Sequence, residues 1–140
     1  MTLKLSMISR NSIGNVLNDL LDSGSRLPAA YMEIRTGKIP DFPDNSPTGV
    51  VLVTISLPVG GFGTFNNATG IVPIIKADMA VLNDGTAGYF RLYNRDQITI
   101  LDGTVGLTNT GADLTFDRID FITGGSVAIT NFVLTIPLTN

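Results

Sequence analysis

The residues that could support chemistry in this chain are its acids. Eleven Asp stand against the single Glu33, and Asp113, Asp117 and Asp120 form the tightest cluster. Oxygen-rich clusters of this kind hold Ca²⁺, but a calcium loop of the Asp-x-Asp-x-Asp-Gly form does not occur here. Asp is also a preferred turn and strand-end residue, because its side chain accepts hydrogen bonds from nearby backbone amides. We therefore expect the cluster to be structural, with no metal and no cofactor. Two carboxyls converging in one cleft would suit glycoside hydrolysis, a reaction that needs an acid pair about 5 to 10 Å apart. With zero Trp and three Tyr, the aromatic surface that sugar subsites use is sparse, and an enzyme acting on cell-wall sugars is the minor expectation.

A repeated pentapeptide is the other motif. Asp84-Gly85-Thr86-Ala87-Gly88 and Asp102-Gly103-Thr104-Val105-Gly106 share the form Asp-Gly-Thr-x-Gly. Neither carries the Lys and following helix of a phosphate cradle, and Asp-Gly between strand-like residues reads as a hairpin turn.

Composition removes whole classes of catalysis. Zero His excludes the commonest general base and the usual transition-metal ligand, and zero Cys excludes thiolate chemistry and disulfides. The net charge of −3 offers no basic stripe for nucleic acid. The first ten residues lack the apolar core of a signal peptide, and no apolar run approaches the roughly 18 residues that span a bilayer. These features lead us to expect a chain made in the cytoplasm, soluble and without nucleic-acid or membrane partners. Only 15% of residues are charged, below the roughly 25% of an ordinary soluble domain, which suggests that part of the surface is covered by something other than water.

At 140 residues the chain can form one domain with a real core. Its segments divide into an N-terminal arm and amphipathic helix over 1–26 and a β domain over 27–140. Ile13, Val16, Leu17, Leu20 and Leu21 recur at helical spacing and predict a helix over 11–22, capped by Asn11 or Ser12 and closed at Gly24. Leu17→Asp or Leu20→Asp is expected to disrupt docking of the helix and to cost several kcal/mol as an unpaired buried charge. Met32 and Ile34 alternate with Tyr31, Glu33 and Arg35 in a first strand, and a surface loop rich in Pro and Asp follows over 37–49. Val51, Val53, Ile55 and Leu57 alternate in a second strand. Further strands are expected over 71–81, 86–93, 97–101, 112–116 and 126–136, with a bulge or bend near Asn131 to reconcile the two parities of the last one. Strands at this spacing suggest an all-β fold, an antiparallel β-sandwich or jelly roll with one short N-terminal helix.

Some residues have two open readings. Phe62 and Phe65 could close the 60–70 loop over its own core or meet a partner. Tyr89, Arg91 and Tyr93 could form a contact stripe or pack across strands. Ile13, Val16, Leu17 and Leu20 could dock the helix on its own domain, on a neighbouring protomer or on another protein.

The order of segments resembles a family of small virion structural proteins of tailed bacteriophages. The likeness lies in Ser9-Arg10-Asn11-Ser12-Ile13, in Met32-Glu33-Ile34-Arg35-Thr36-Gly37-Lys38-Ile39-Pro40, in Gly85-Thr86-Ala87-Gly88-Tyr89-Phe90-Arg91, in Leu101-Asp102-Gly103-Thr104-Val105-Gly106 leading to Gly111-Ala112-Asp113-Leu114, and in the closing Ile129-Thr130-Asn131-Phe132-Val133-Leu134-Thr135-Ile136-Pro137. The resemblance implies a non-enzymatic particle component, foremost a capsid decoration (cement) protein on the virion surface. It implies as partners the major capsid protein and other copies of the chain, as a homotrimer. The alternative it leaves is a tail, baseplate or host-adhesion component.

Overall fold

Alternating apolar residues build the central sheet of the computed structural model, which describes residues 3–72, 75–129 and 132–137. The helix α1 (Met7–Asp22) is followed by β1 (Tyr31–Thr36), β2 (Val51–Ser56), β3 (Thr69–Val72), β4 (Ile75–Ala80), β5 (Gly85–Tyr93), β6 (Thr99–Leu107), β7 (Leu114–Phe116), β8 (Asp120–Phe121), β9 (Ser126–Ile129) and β10 (Phe132–Thr135). The main sheet runs β2-β1-β5-β6-β7, with β8 added to β5. Met32 and Ile34 of β1 and Phe90 and Leu92 of β5 face the core, as their period-two spacing requires. The pairs β3–β10 and β4–β9 form two separate antiparallel ribbons. The first ribbon joins the core through Phe132, whose ring meets Phe90 edge-on at 5.2 Å and Phe62 at 5.2 Å.

The mostly-β character with one helix agrees with the sequence reading, and the details depart from it in five places. The sheet is mixed, because β7 pairs in parallel with β6, Val105 opposite Leu114. Strand β2 does not alternate throughout: the register passes from Ile34↔Val53 to Arg35↔Val51, a bulge that leaves Leu52 unpaired and buried beside Val53. The expected strand over 71–81 is divided into β3 and β4. The last strand is likewise two strands with different partners, and the bend expected near Asn131 lies outside the described residues.

The fifth departure concerns the Asp-Gly-Thr-x-Gly repeat, which forms no hairpin turn. Asp102 and Gly103 lie inside β6, and the turn between β5 and β6 is made at 94–98. There the Asn94 N–H donates to the Ile98 carbonyl, while the Asn94 side-chain oxygen accepts from the N–H groups of Asp96 and Ile98. Gly103 serves packing, since a Cβ there would stand 2.2 Å from the Phe90 ring. Asp84 caps the start of β5 by accepting from the Thr123 N–H and hydroxyl.

Hydrogen bonds between segments distant in sequence also set the pH response. The Thr123 amide holds Asp84 below the usual carboxylate range, and the Ser25 and Arg26 amides do the same for Asp96. A depressed folded-state pKa contributes stability that is complete above about pH 4 and is lost as the pH falls through the folded value. Burial, with the Glu33 charge second, pushes Tyr93 up to about 12. Its contribution is complete below about pH 10 and is lost as the pH rises beyond that.

Two outcomes are expected. Urea midpoints should stay level between about pH 5 and 9, because no His titrates there, and fall on both sides; Asp84→Asn and Asp96→Asn should flatten the acid limb. Gly103→Ala should destabilise by about 1 to 3 kcal/mol through overpacking. Combining it with Phe90→Leu should give less than the sum of the two losses if the ring contact is the cause.

Candidate functional site

Helix α1 begins one turn earlier than its apolar spacing indicates, at a cap formed by Ser6, whose hydroxyl oxygen accepts from the Ser9 N–H at 3.2 Å. Asn11 and Ser12, the expected caps, are therefore internal. At the other end Ser23 is the capping residue and Gly24 follows it with a φ of 112°.

The early start frees Asn11 for a different task, shared with Asn15, Asn18 and Asp22. These four recur at i, i+4, i+7 and i+11, which places them along one face of the helix. Each takes a backbone N–H of the loop between β2 and β3. Asn11 accepts from Ala68 at 2.7 Å, Asn15 from Phe65 at 2.9 Å, Asn18 from Phe62 at 2.8 Å and Asp22 from Gly60 at 2.9 Å. The Asn18 amide nitrogen also donates to the Gly63 carbonyl. Gly14 lies among them and is buried, with the Phe65 ring in the space that a Cβ would need.

The ladder turns the helix around relative to the sequence expectation. Leu21 is buried and Leu17 packs against the edge of the core. Ile13, Val16 and Leu20 point outward, 40%, 55% and 46% exposed. The expectation that Leu20→Asp would bury a charge is corrected accordingly, since that position is open to solvent. The outward stripe is apolar and helically spaced at i, i+3 and i+7.

The other named residues are placed differently. Phe62 and Phe65 are both buried, so they anchor the loop to its own core and do not reach the surface. Tyr89 and Arg91 are also buried, although they lie on the side of β5 opposite Phe90, because the 37–49 loop covers that side. The Tyr89 hydroxyl accepts from the Thr48 N–H and donates to the Thr48 carbonyl, each at 2.8 Å. The Arg91 guanidinium grips both Asp102 oxygens at 2.6 and 2.8 Å and donates to the Asn45 carbonyl at 2.8 Å. The contact-stripe reading is thus corrected for Tyr89 and Arg91. Tyr93 is half-buried and stacks on Tyr31 with ring centroids 4.8 Å apart.

The aspartate cluster is dispersed into separate contacts, each with a threonine of another segment. Asp113 accepts from the Thr104 N–H and hydroxyl, Asp117 from the Thr108 hydroxyl and Asp120 from the Thr86 hydroxyl. Among the described residues, no group of three or more His, Cys, Asp or Glu side chains converges on a point. No described helix is long and apolar enough to cross a membrane.

The asparagine ladder could have been found from sequence, as a second helical stripe offset from the apolar one, polar but interrupted by Gly14. Removing its central member tests it. Asn18→Ala leaves the Phe62 N–H and the Gly63 carbonyl without their partner and should lower stability by about 2 to 3 kcal/mol, read as a urea midpoint shift with faster proteolysis of the 58–68 loop. Compared with known proteins, the chain matches no family model, no curated protein and no solved structure.

Proposed function

We propose that this chain is a non-enzymatic structural protein of a tailed-bacteriophage virion, a capsid decoration (cement) protein that braces neighbouring capsid subunits. The observation that carries the reading is the outward stripe of Ile13, Val16 and Leu20 on a helix whose polar face is spent inside its own domain. An apolar stripe directed outward is disfavoured in a lone monomer and becomes favourable once a neighbour covers it. The segment order supports the virion assignment through its resemblance to phage structural proteins.

In this reading the helix and the arm before it, with exposed Leu3 and Leu5, form the contact to the major capsid protein or to a second copy within a homotrimer. The β domain is the rigid body that spans between subunits on the virion surface. Its finer architecture is a β-sandwich, an assignment supported by Phe132 of the β3–β10 ribbon packing on Phe90 of the main sheet. Each bridge adds an interface that must break before subunits part, and binding to the assembled form alone stabilises that form by mass action. The role requires no catalytic residue, in keeping with a chain free of His and Cys.

Val16→Asp and Leu20→Asp test the stripe. Both variants should keep their urea midpoint within about 0.5 kcal/mol of the parent, because the positions are exposed, and both should lose self-association and binding to purified heads. Variants that assemble like the parent would contradict the proposal, as would particle mass spectrometry and cryo-EM that find the chain absent from mature heads or confined to the tail.

A further inference from the structure

The outer face of the main sheet has an open part next to the part covered by the 37–49 loop. A groove of about 360 Å³ lies there, lined by Tyr31, Glu33, Thr54, Ser56, Gln97 and Pro28 among others. Its size falls within the range of small-molecule sites, which begins at about 300 Å³. Strand pairing explains how these side chains come together. Tyr31 stands between Tyr93 of β5 and Ser56 of β2, and Glu33 stands between Arg91 and Thr54. One face of the Tyr31 ring is stacked on Tyr93 with only 13° between the planes. The groove lies on the other flank, over Ser56 and Thr54, so the second ring face is turned toward it.

The polar groups restrict the chemistry of a ligand. Glu33 is paired with the Arg35 guanidinium at 2.8 Å, which compensates its charge and leaves carboxylate lone pairs able to accept from hydroxyl groups. The Thr54 and Ser56 hydroxyls can each both donate and accept, and the Gln97 amide, bonded to the Tyr31 side chain, keeps further donor and acceptor capacity. Among the described lining residues there is no Lys or Arg, so these offer an anion no counter-charge. A flat aromatic surface beside a compensated acceptor, two hydroxyls and an amide matches a molecule with one apolar C–H face and a rim of hydroxyls.

We propose that this groove binds one hexopyranose unit of a carbohydrate, its C–H face on the Tyr31 ring and its hydroxyls on Glu33, Gln97, Ser56 and Thr54. The site binds without hydrolysing. Glu33 is the single carboxylate among its described lining residues, whereas glycoside cleavage uses two. A single ring platform implies a Kd in the millimolar range. The proposal is independent of the assembly role, because the groove contains none of the helix stripe.

The test is a titration of the full ¹⁵N-labelled chain with methyl β-glucopyranoside, methyl β-galactopyranoside and methyl N-acetyl-β-glucosaminide, with glycerol as a polyol lacking a ring face. At least one glycoside should give saturable shifts centred on the amides of Tyr31, Ser56 and Gln97. Tyr31→Phe should retain the response, while Tyr31→Ala and the exposed-turn variant Gln97→Ala should weaken it, the former at least tenfold. No saturable shift with any glycoside up to about 100 mM would overturn the proposal. Equal shifts with glycerol would also overturn it, as would unchanged binding by Gln97→Ala together with whichever Tyr31 variant folds.

Discussion

Asn18 holds the loop between β2 and β3 with both ends of its amide, taking the Phe62 N–H and giving to the Gly63 carbonyl. A buried loop backbone must find partners for its polar groups, and here a helix supplies them. The loop requires this help because glycines and left-handed residues fill it: Gly60, Gly61, Gly63, Asn67 and Ala68 all have positive φ. A chain so shaped cannot pair as a strand, so Asn11, Asn15, Asn18 and Asp22 stand in for the missing neighbour. Once the loop is fixed, Phe62 and Phe65 enter the core, Phe62 meets Phe132, and Phe132 meets Phe90 of the main sheet. The orientation of the helix, and so the outward direction of its apolar stripe, follows from the same contacts.

A comparable exchange of partners occurs on the opposite side of the sheet. Arg91 and Asp102 face each other across β5 and β6 and are nearly inaccessible, with side-chain exposures of 2% and 3%. Removing two charges from water is expensive, and a bidentate geometry with a further bond to the Asn45 carbonyl is the arrangement that offsets it. Its effect is to fasten the 37–49 loop over Arg91 while Thr48 fastens it over Tyr89. The loop stops short of Tyr31, which leaves the polar groove open beside it.

Some of this was legible in the residues. Met32 and Ile34 alternate on an ordinary pleated strand, and the structure buries both. The helix was legible as an element, and its orientation was not. Apolar spacing identifies a face that prefers to leave water, but it does not tell whether that face meets its own domain or another molecule. Asn residues at helical spacing could outbid Ile13 and Val16 for the interior because five loop backbone groups awaited partners, a requirement visible only once the loop has its shape. Asp102-Gly103 misled for a similar reason. As a dipeptide it favours a turn, yet Asp102 is needed opposite Arg91 and Gly103 is needed beneath the Phe90 ring, contacts distant in sequence. The aspartates at 113, 117 and 120 bond no adjacent backbone amide and instead reach Thr104, Thr108 and Thr86 on other segments, contacts that turn chemistry alone does not predict.

The most direct measurement of helix orientation is thiol labelling of single-cysteine variants, made simple by a parent with zero Cys. Cysteines placed at Ile13, Val16 and Leu20 should react in the isolated chain at rates near those of an exposed thiol, and a cysteine placed at Leu21 should be strongly protected. The opposite pattern, with 13, 16 and 20 protected and 21 reactive, would mean that the apolar face is turned inward and would contradict the account at its root.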